Sequence, residues 1–169
     1  MFLTNQDILK FLEEGKIKIE PFDEDALGPA SYDLALSNKW WFFKNDIKEI
    51  DASKTSWIEV MEEVIKEEIE LKPGEMCLGI TKEKITLSNN IVGRLEGRSR
   101  YARLGIAVHI TSALIQPGVS NHQVLEIKNN SPYKIKLKEG MRISQVIFAL
   151  AKTPTDKPYK LVGKTAVNQ

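Results

Sequence analysis

From Glu68 onward the chain is cut into short stretches of alternating apolar and polar residues, each closed by a turn, and this rhythm most narrows the fold. Ile69-Glu-Leu-Lys-Pro-Gly-Glu-Met76 recurs in altered form as Ile135-Lys-Leu-Lys-Glu-Gly-Met141, about 66 residues later. Both read as strand, Lys-x-Gly turn, strand, which predicts a related pair of hairpins and not a repeat array. Short strands punctuated in this way predict an all-β sandwich or barrel. One helix precedes them. Thr4 as N-cap, Asp7 at the third helical position and Leu3 with Ile8 as a hydrophobic staple predict a short N-terminal helix that stops at Gly15. Lys16–Glu20 alternates Ile17 and Ile19 as a strand ended by Pro21, and Tyr32, Leu34 and Leu36 share a face of the next. The aromatic run Trp40–Phe43 fits a strand buried on both faces, or one at a subunit interface, better than a platform for bases. Residues 51–67 fit helix and strand equally and stay open.

At 169 residues the chain is expected to form one domain over 1–150, followed by a flexible Lys-, Thr- and Pro-rich tail over 151–169. A net charge of +1 supplies no global field to recruit nucleic acid or an anionic membrane, so any local basic cluster carries more meaning than the total. No apolar run approaches the roughly 20 residues of a membrane span, and the N-terminus lacks a signal-peptide pattern, so the cytoplasm is the expected location. Cys77, the only cysteine, reads as a small buried hydrophobe.

The basic cluster is Gly97-Arg-Ser-Arg-Tyr-Ala-Arg-Leu-Gly105. Arg98, Arg100 and Arg103 flank a short helical turn that Ser99 is placed to cap, and arginine forks beside a helix N-terminus suit phosphate oxygens. Ile106–Thr111 then reads as a strand, Pro117-Gly118 as a turn and His122–Lys128 as a second strand. In that strand Leu125 and Ile127 share one face, which turns Val124, Glu126 and Lys128 to the other. Gly-Arg-Ser-x-x-Ala-Arg-Leu-Gly, Val-His-x-Thr, Ile-x-Pro-Gly and Val-Leu-Glu, in this order and spacing, resemble the dCTP deaminase family of the dUTPase-like superfamily. A Pro-Ala-Ser-x-Asp-Leu segment at 29–34 strengthens the likeness, which runs from Leu3 to about Tyr159.

The resemblance implies a distorted, jelly-roll-like barrel that forms a homotrimer with sites shared across subunits. It implies zinc-independent hydrolysis of dCTP to dUTP and ammonia, with Glu126 as catalytic proton donor and acceptor. One cysteine and two histidines cannot build the zinc set of other nucleobase deaminases, which agrees. Arg98, Ser99, Arg100 and Arg103 would hold the triphosphate, and Mg²⁺ would arrive on its oxygens with no protein-ligated metal. Backbone groups of Val124 and Leu125 would meet the base edge and Gln116 the sugar. Tyr159, Lys164 and Gln169 match a tail that closes over the nucleotide, and Asp33 falls on a structural strand near the subunit interface. Three departures stand out. Gln116 replaces the family's usual aspartate and is no general base, Arg100 replaces a frequent serine, and Thr165 follows Lys164 where an aromatic residue is usual, implying a lid either shortened or absent. The loss of aspartate argues against dUTP diphosphatase activity, the alternative reading; a non-catalytic nucleotide-binding relative is the third.

Overall fold

The computed structural model describes residues 1–163. Helix α1 (Asn5–Glu13) starts as its sequence implies: Asp7 accepts hydrogen bonds from the Thr4 backbone N–H and hydroxyl, both at 3.0 Å, while Leu3 and Ile8 are buried. Eleven strands follow among the described residues: β1 (Ile17–Glu20), β2 (Tyr32–Phe43), β3 (Met61–Ile65), β4 (Glu68–Leu71), β5 (Met76–Leu87), β6 (Ile91–Gly97), β7 (Ile106–Ala107), β8 (Leu114–Ile115), β9 (Ser120–Asn129), β10 (Ile135–Lys138) and β11 (Arg142–Leu150). Three one-turn helices interrupt them, α2 (Trp57–Val60), α3 (Ser99–Ala102) and α4 (Tyr159–Val162), together with a 3-10 turn at Glu24–Ala26.

Nine strands form one curled, half-barrel sheet in the order β7-β9-β5-β2-β11-β6-β8, with β1 added to β5 and β3 to β2. All pairings are antiparallel, so alternate residues face the core. Leu125 and Ile127 of β9 are fully buried and Val124, Glu126 and Lys128 half-exposed, as the two-residue period requires. On β2, Tyr32, Leu34, Leu36 and Trp40 are buried, Trp41 and Phe42 half-buried and Phe43 exposed, so within one chain the aromatic run buries one face and not two. Cys77 is buried in the core, and burial pushes its thiol up to about 12.

Several expectations are corrected. The two Lys-x-Gly segments do not close hairpins. β4 and β10 pair with each other as a separate two-stranded sheet, while β5 and β11 leave for the large sheet. Glu68 and Glu70 face Lys134, Lys136 and Lys138 across this ladder, with Lys–Glu distances of 2.9–3.1 Å, and Leu71 and Leu137 lie buried beneath. The open segment splits into α2, one helical turn, and strand β3. The strand anticipated over Ile106–Thr111 ends at Ala107, because the following amides turn to bind a side chain and leave the ladder. Ser99 does not cap α3: Arg98 holds the cap position, and its carbonyl accepts from the Tyr101 and Ala102 amides.

Candidate functional site

A cavity of about 430 Å³ opens where β5, β6, β8 and β9 meet the tail. Glu126 is its only carboxylate among the described lining residues. Strand alternation turns its side chain away from the core, and the loop after β7 wraps it. The amides of Ile110 and Thr111 donate to Oε2 at 2.6 and 2.5 Å, the Ser112 amide at 3.3 Å, and the Thr111 hydroxyl donates to Oε1 at 2.6 Å. Partial burial pushes this carboxyl up, but the Thr111 hydroxyl and the three amides outweigh it and hold it below the ordinary glutamate value. The group is therefore an anion at neutral pH, a base that can take a proton from water.

Gln116, Val124 and Tyr159 line the same cavity. Leu125 is buried on the opposite face of β9, so only its backbone can serve a ligand. The tail reaches the site by docking on the turn before β9. Tyr159 and Lys160 donate their amides to the carbonyls of Pro117 and Gly118 at 2.9 and 3.3 Å, and Pro158 is buried there. Gly118 has φ +75°, and a Cβ on it would lie 2.4 Å from the Pro158 Cβ. Lys164 and Gln169 lie outside the described residues.

The arginine turn is a separate feature. None of Arg98, Ser99, Arg100 and Arg103 lines the cavity of Glu126 within one chain. Arg98 is tied inward, its two terminal nitrogens reaching Asp33 Oδ2 at 2.9 Å and the Arg142 carbonyl at 2.8 Å. Arg142 in turn pairs with Asp23. Burial pushes the Asp33 carboxyl up against the pull of Arg98 and Arg142. Ser99, Arg100 and Arg103 are exposed, and Arg100 lies over the Tyr101 ring. Among the described residues no cluster of three His, Cys, Asp or Glu side chains could hold a metal, and no helix is long and apolar enough to cross a membrane.

Sequence reasoning missed most of the apolar lining and, with it, four residues that bring polar groups or an aromatic ring. Trp57 lay in the undecided segment. Asn121 and Gln123 are buried amides, the Gln123 Nε2 donating to Asn121 Oδ1 at 2.8 Å, on the face of β9 assigned to the core. Ser112 lay beyond the expected strand.

Known proteins supply the comparison. A family model described as dCTP deaminase-like matches residues 2–151. A dCTP deaminase of Alteromonas mediterranea is 38% identical over 171 residues, covering 94% of this chain and 87% of that protein. A protein of Dictyoglomus thermophilum named "dCTP deaminase, dUMP-forming" is 39% identical over 176 residues, covering 100% of this chain and 91% of its own length. The crystal structure of the 2′-deoxycytidine 5′-triphosphate deaminase of Agrobacterium tumefaciens has a TM-score of 0.70 at 23% identity. It aligns with 89% of this chain but only 48% of its own, so this chain spans about half of it and the likeness is one of fold. A phage 80alpha dUTPase shares the fold more distantly, with a TM-score of 0.52 at 16% identity over 83% of this chain and 94% of that one. With a model that takes in every strand of the sheet and relatives matched almost end to end, this chain belongs to the dCTP deaminase-like family.

Proposed function

We propose that the chain hydrolyses the C4 amino group of dCTP, yielding dUTP and ammonia without zinc, and that Glu126 moves the protons. The observation that carries this reading is a carboxylate on a cavity wall, single among the described lining residues and kept ionised by four hydrogen-bond donors. As water attacks C4, the carboxylate takes one proton and passes it to N3. It then takes the second proton from the C4 hydroxyl and delivers it to the amino nitrogen, the C4–N bond breaks, and ammonia leaves as the carbonyl forms. A carboxyl of lowered pKa is a strong acid once protonated, which favours delivery.

Backbone groups of Val124 and Leu125 meet the base edge, and the Gln116 amide, neutral at all working pH, hydrogen-bonds the sugar. Tyr159 closes the tail over the nucleotide, making 1–150 the catalytic domain and the tail that follows it a lid. The substrate is Mg·dCTP, with the ion on phosphate oxygens. Arg98 orients α3, and Ser99, Arg100 and Arg103 receive the triphosphate from an adjoining subunit of a cytoplasmic homotrimer. The absence of these residues from the Glu126 cavity in a single chain favours such sharing.

The second reading, deamination followed by diphosphate hydrolysis to dUMP, is favoured by the relatives named dUMP-forming. A single carboxylate among the described lining residues, with glutamine at 116, favours the single reaction. Incubation with Mg²⁺ and dCTP or dUTP, with products separated by chromatography, decides. dUTP and ammonia from dCTP, with added dUTP intact, support the proposal; dUMP from either nucleotide transfers it to the second reading. Binding of both without turnover means a non-catalytic relative.

A further inference from the structure

We infer that Trp57 is the wall on which the pyrimidine ring stacks, a binding residue that lies in none of the sequence motifs. This rests on the reading of the Glu126 cavity as the nucleoside site. Trp57 opens α2 and lines that cavity with Leu78 and Glu126. Its indole is set by Trp41, which meets it edge-on with ring centroids 5.7 Å apart and planes at 83°. The ladder registers say where this pair stands. Trp41 is opposite Leu78 on β5, and Leu78 is opposite Glu126 on β9. Residues directly opposed across antiparallel strands share a face, so Trp41, Leu78 and Glu126 form one row. Two strand spacings put the ends of that row about 10 Å apart. Trp57, seated on one end, thus borders the same space as the carboxylate at the other.

The chemistry asks for such a wall. Water adds to C4 perpendicular to the ring plane, while Glu126 serves N3 and the amino group from near that plane. The remaining ring face must be held by a flat surface without charge, and the face of an indole provides one for any pyrimidine. The other aromatic lining residue, Tyr159, has a face already covered: a Cβ on Gly163 would come within 2.6–2.8 Å of its ring atoms. Trp57 is only half-buried.

The experiment uses full-length protein carrying Glu126→Gln, so that Mg·dCTP binds without turnover, with and without Trp57→Leu or Trp57→Phe. Titration is followed by tryptophan fluorescence and calorimetry. The expected result is a ligand-dependent fluorescence change in E126Q that vanishes when Leu or Phe replaces Trp57. Affinity should fall roughly tenfold or more with leucine and largely return with phenylalanine, at matched melting temperatures. Equal affinity of the leucine and tryptophan proteins would overturn the inference, as would a loss that phenylalanine does not restore. If folded E126Q fails to bind Mg·dCTP at all, the reading of the cavity falls, and this inference with it.

Discussion

Gly118 is where the tail and the turn before β9 become one unit, and alanine at this position tests the coupling. The backbone there has φ +75°, where an L-residue is penalised by roughly 1–2 kcal/mol. The new methyl would also sit 2.4 Å from the Pro158 Cβ, 3.0 Å from its Cα and 3.2 Å from the Asn89 Oδ1. Carbon atoms pack at about 3.5–4.0 Å, so Pro158 must retreat by about 1 Å or more. That displacement strains the two backbone hydrogen bonds from Tyr159 and Lys160, each contributing about 0.5–1.5 kcal/mol. Gly118→Ala is therefore expected to destabilise by about 2–4 kcal/mol in urea unfolding, to expose the tail to protease, and to raise KM for dCTP as Tyr159 leaves the cavity. Pro158→Gly removes the colliding ring, so in the double variant the loss should shrink toward the backbone term alone, a non-additivity that identifies the contact. A G118A protein with unchanged unfolding free energy and an equally protected tail would refute the argument.

Further expectations follow from side-chain chemistry. Thr111→Val deletes the 2.6 Å hydrogen bond to Glu126, so the carboxyl rises toward its ordinary value and the acid limb of the kcat profile moves to higher pH; an unmoved limb would contradict the assigned base. Burial raises Glu83, so the folded state keeps a proton the unfolded chain has released. Stability should then fall as pH rises from the ordinary glutamate value through the raised one. Glu83→Gln keeps an acceptor for the Ala35 amide at 3.0 Å and should flatten that slope in denaturation measured against pH; a persisting slope rules Glu83 out as its source. Asn129 is fully buried, donating to the Leu71 and Tyr133 carbonyls and accepting from the Ser131 amide and hydroxyl, so Asn129→Ala should cost about 3 kcal/mol or more in urea unfolding. Cys77 should resist thiol reagents in the folded protein and react fully once unfolded; rapid native labelling would contradict its burial.

What was legible in the sequence was what repeats locally. Strand alternation in 122–128 separates Leu125 and Ile127 from Glu126 without knowledge of any neighbour, and three arginines within six residues mark a basic turn. What was hidden depends on partners far along the chain. Nothing near Arg98 says that Asp33 holds it, and Ile106–Thr111 reads as a continuous strand because the force that bends it away is a carboxylate fifteen residues on. Trp57 was missed because a turn of helix running straight into a strand satisfies both periodicities in part. The β4–β10 ladder was recoverable in principle: Glu68 and Glu70 against Lys134, Lys136 and Lys138 are complementary on sight, but a pairing so distant competes poorly with a nearby turn.

That ladder has a consequence for how the protein tolerates change. Because β4 and β10 grip each other, residues 72–134 leave and return at one gate, and the arginine turn, Gln116 and Glu126 all ride on the excursion between. The entropy of closing such an excursion grows only with the logarithm of its length, so even doubling it adds roughly 0.6 kcal/mol. Insertions between the strands of this excursion are thermodynamically cheap provided the glutamate–lysine clasp survives. The segment proposed to carry the chemistry is thus also one in which length can drift at little cost, leaving room for new loops.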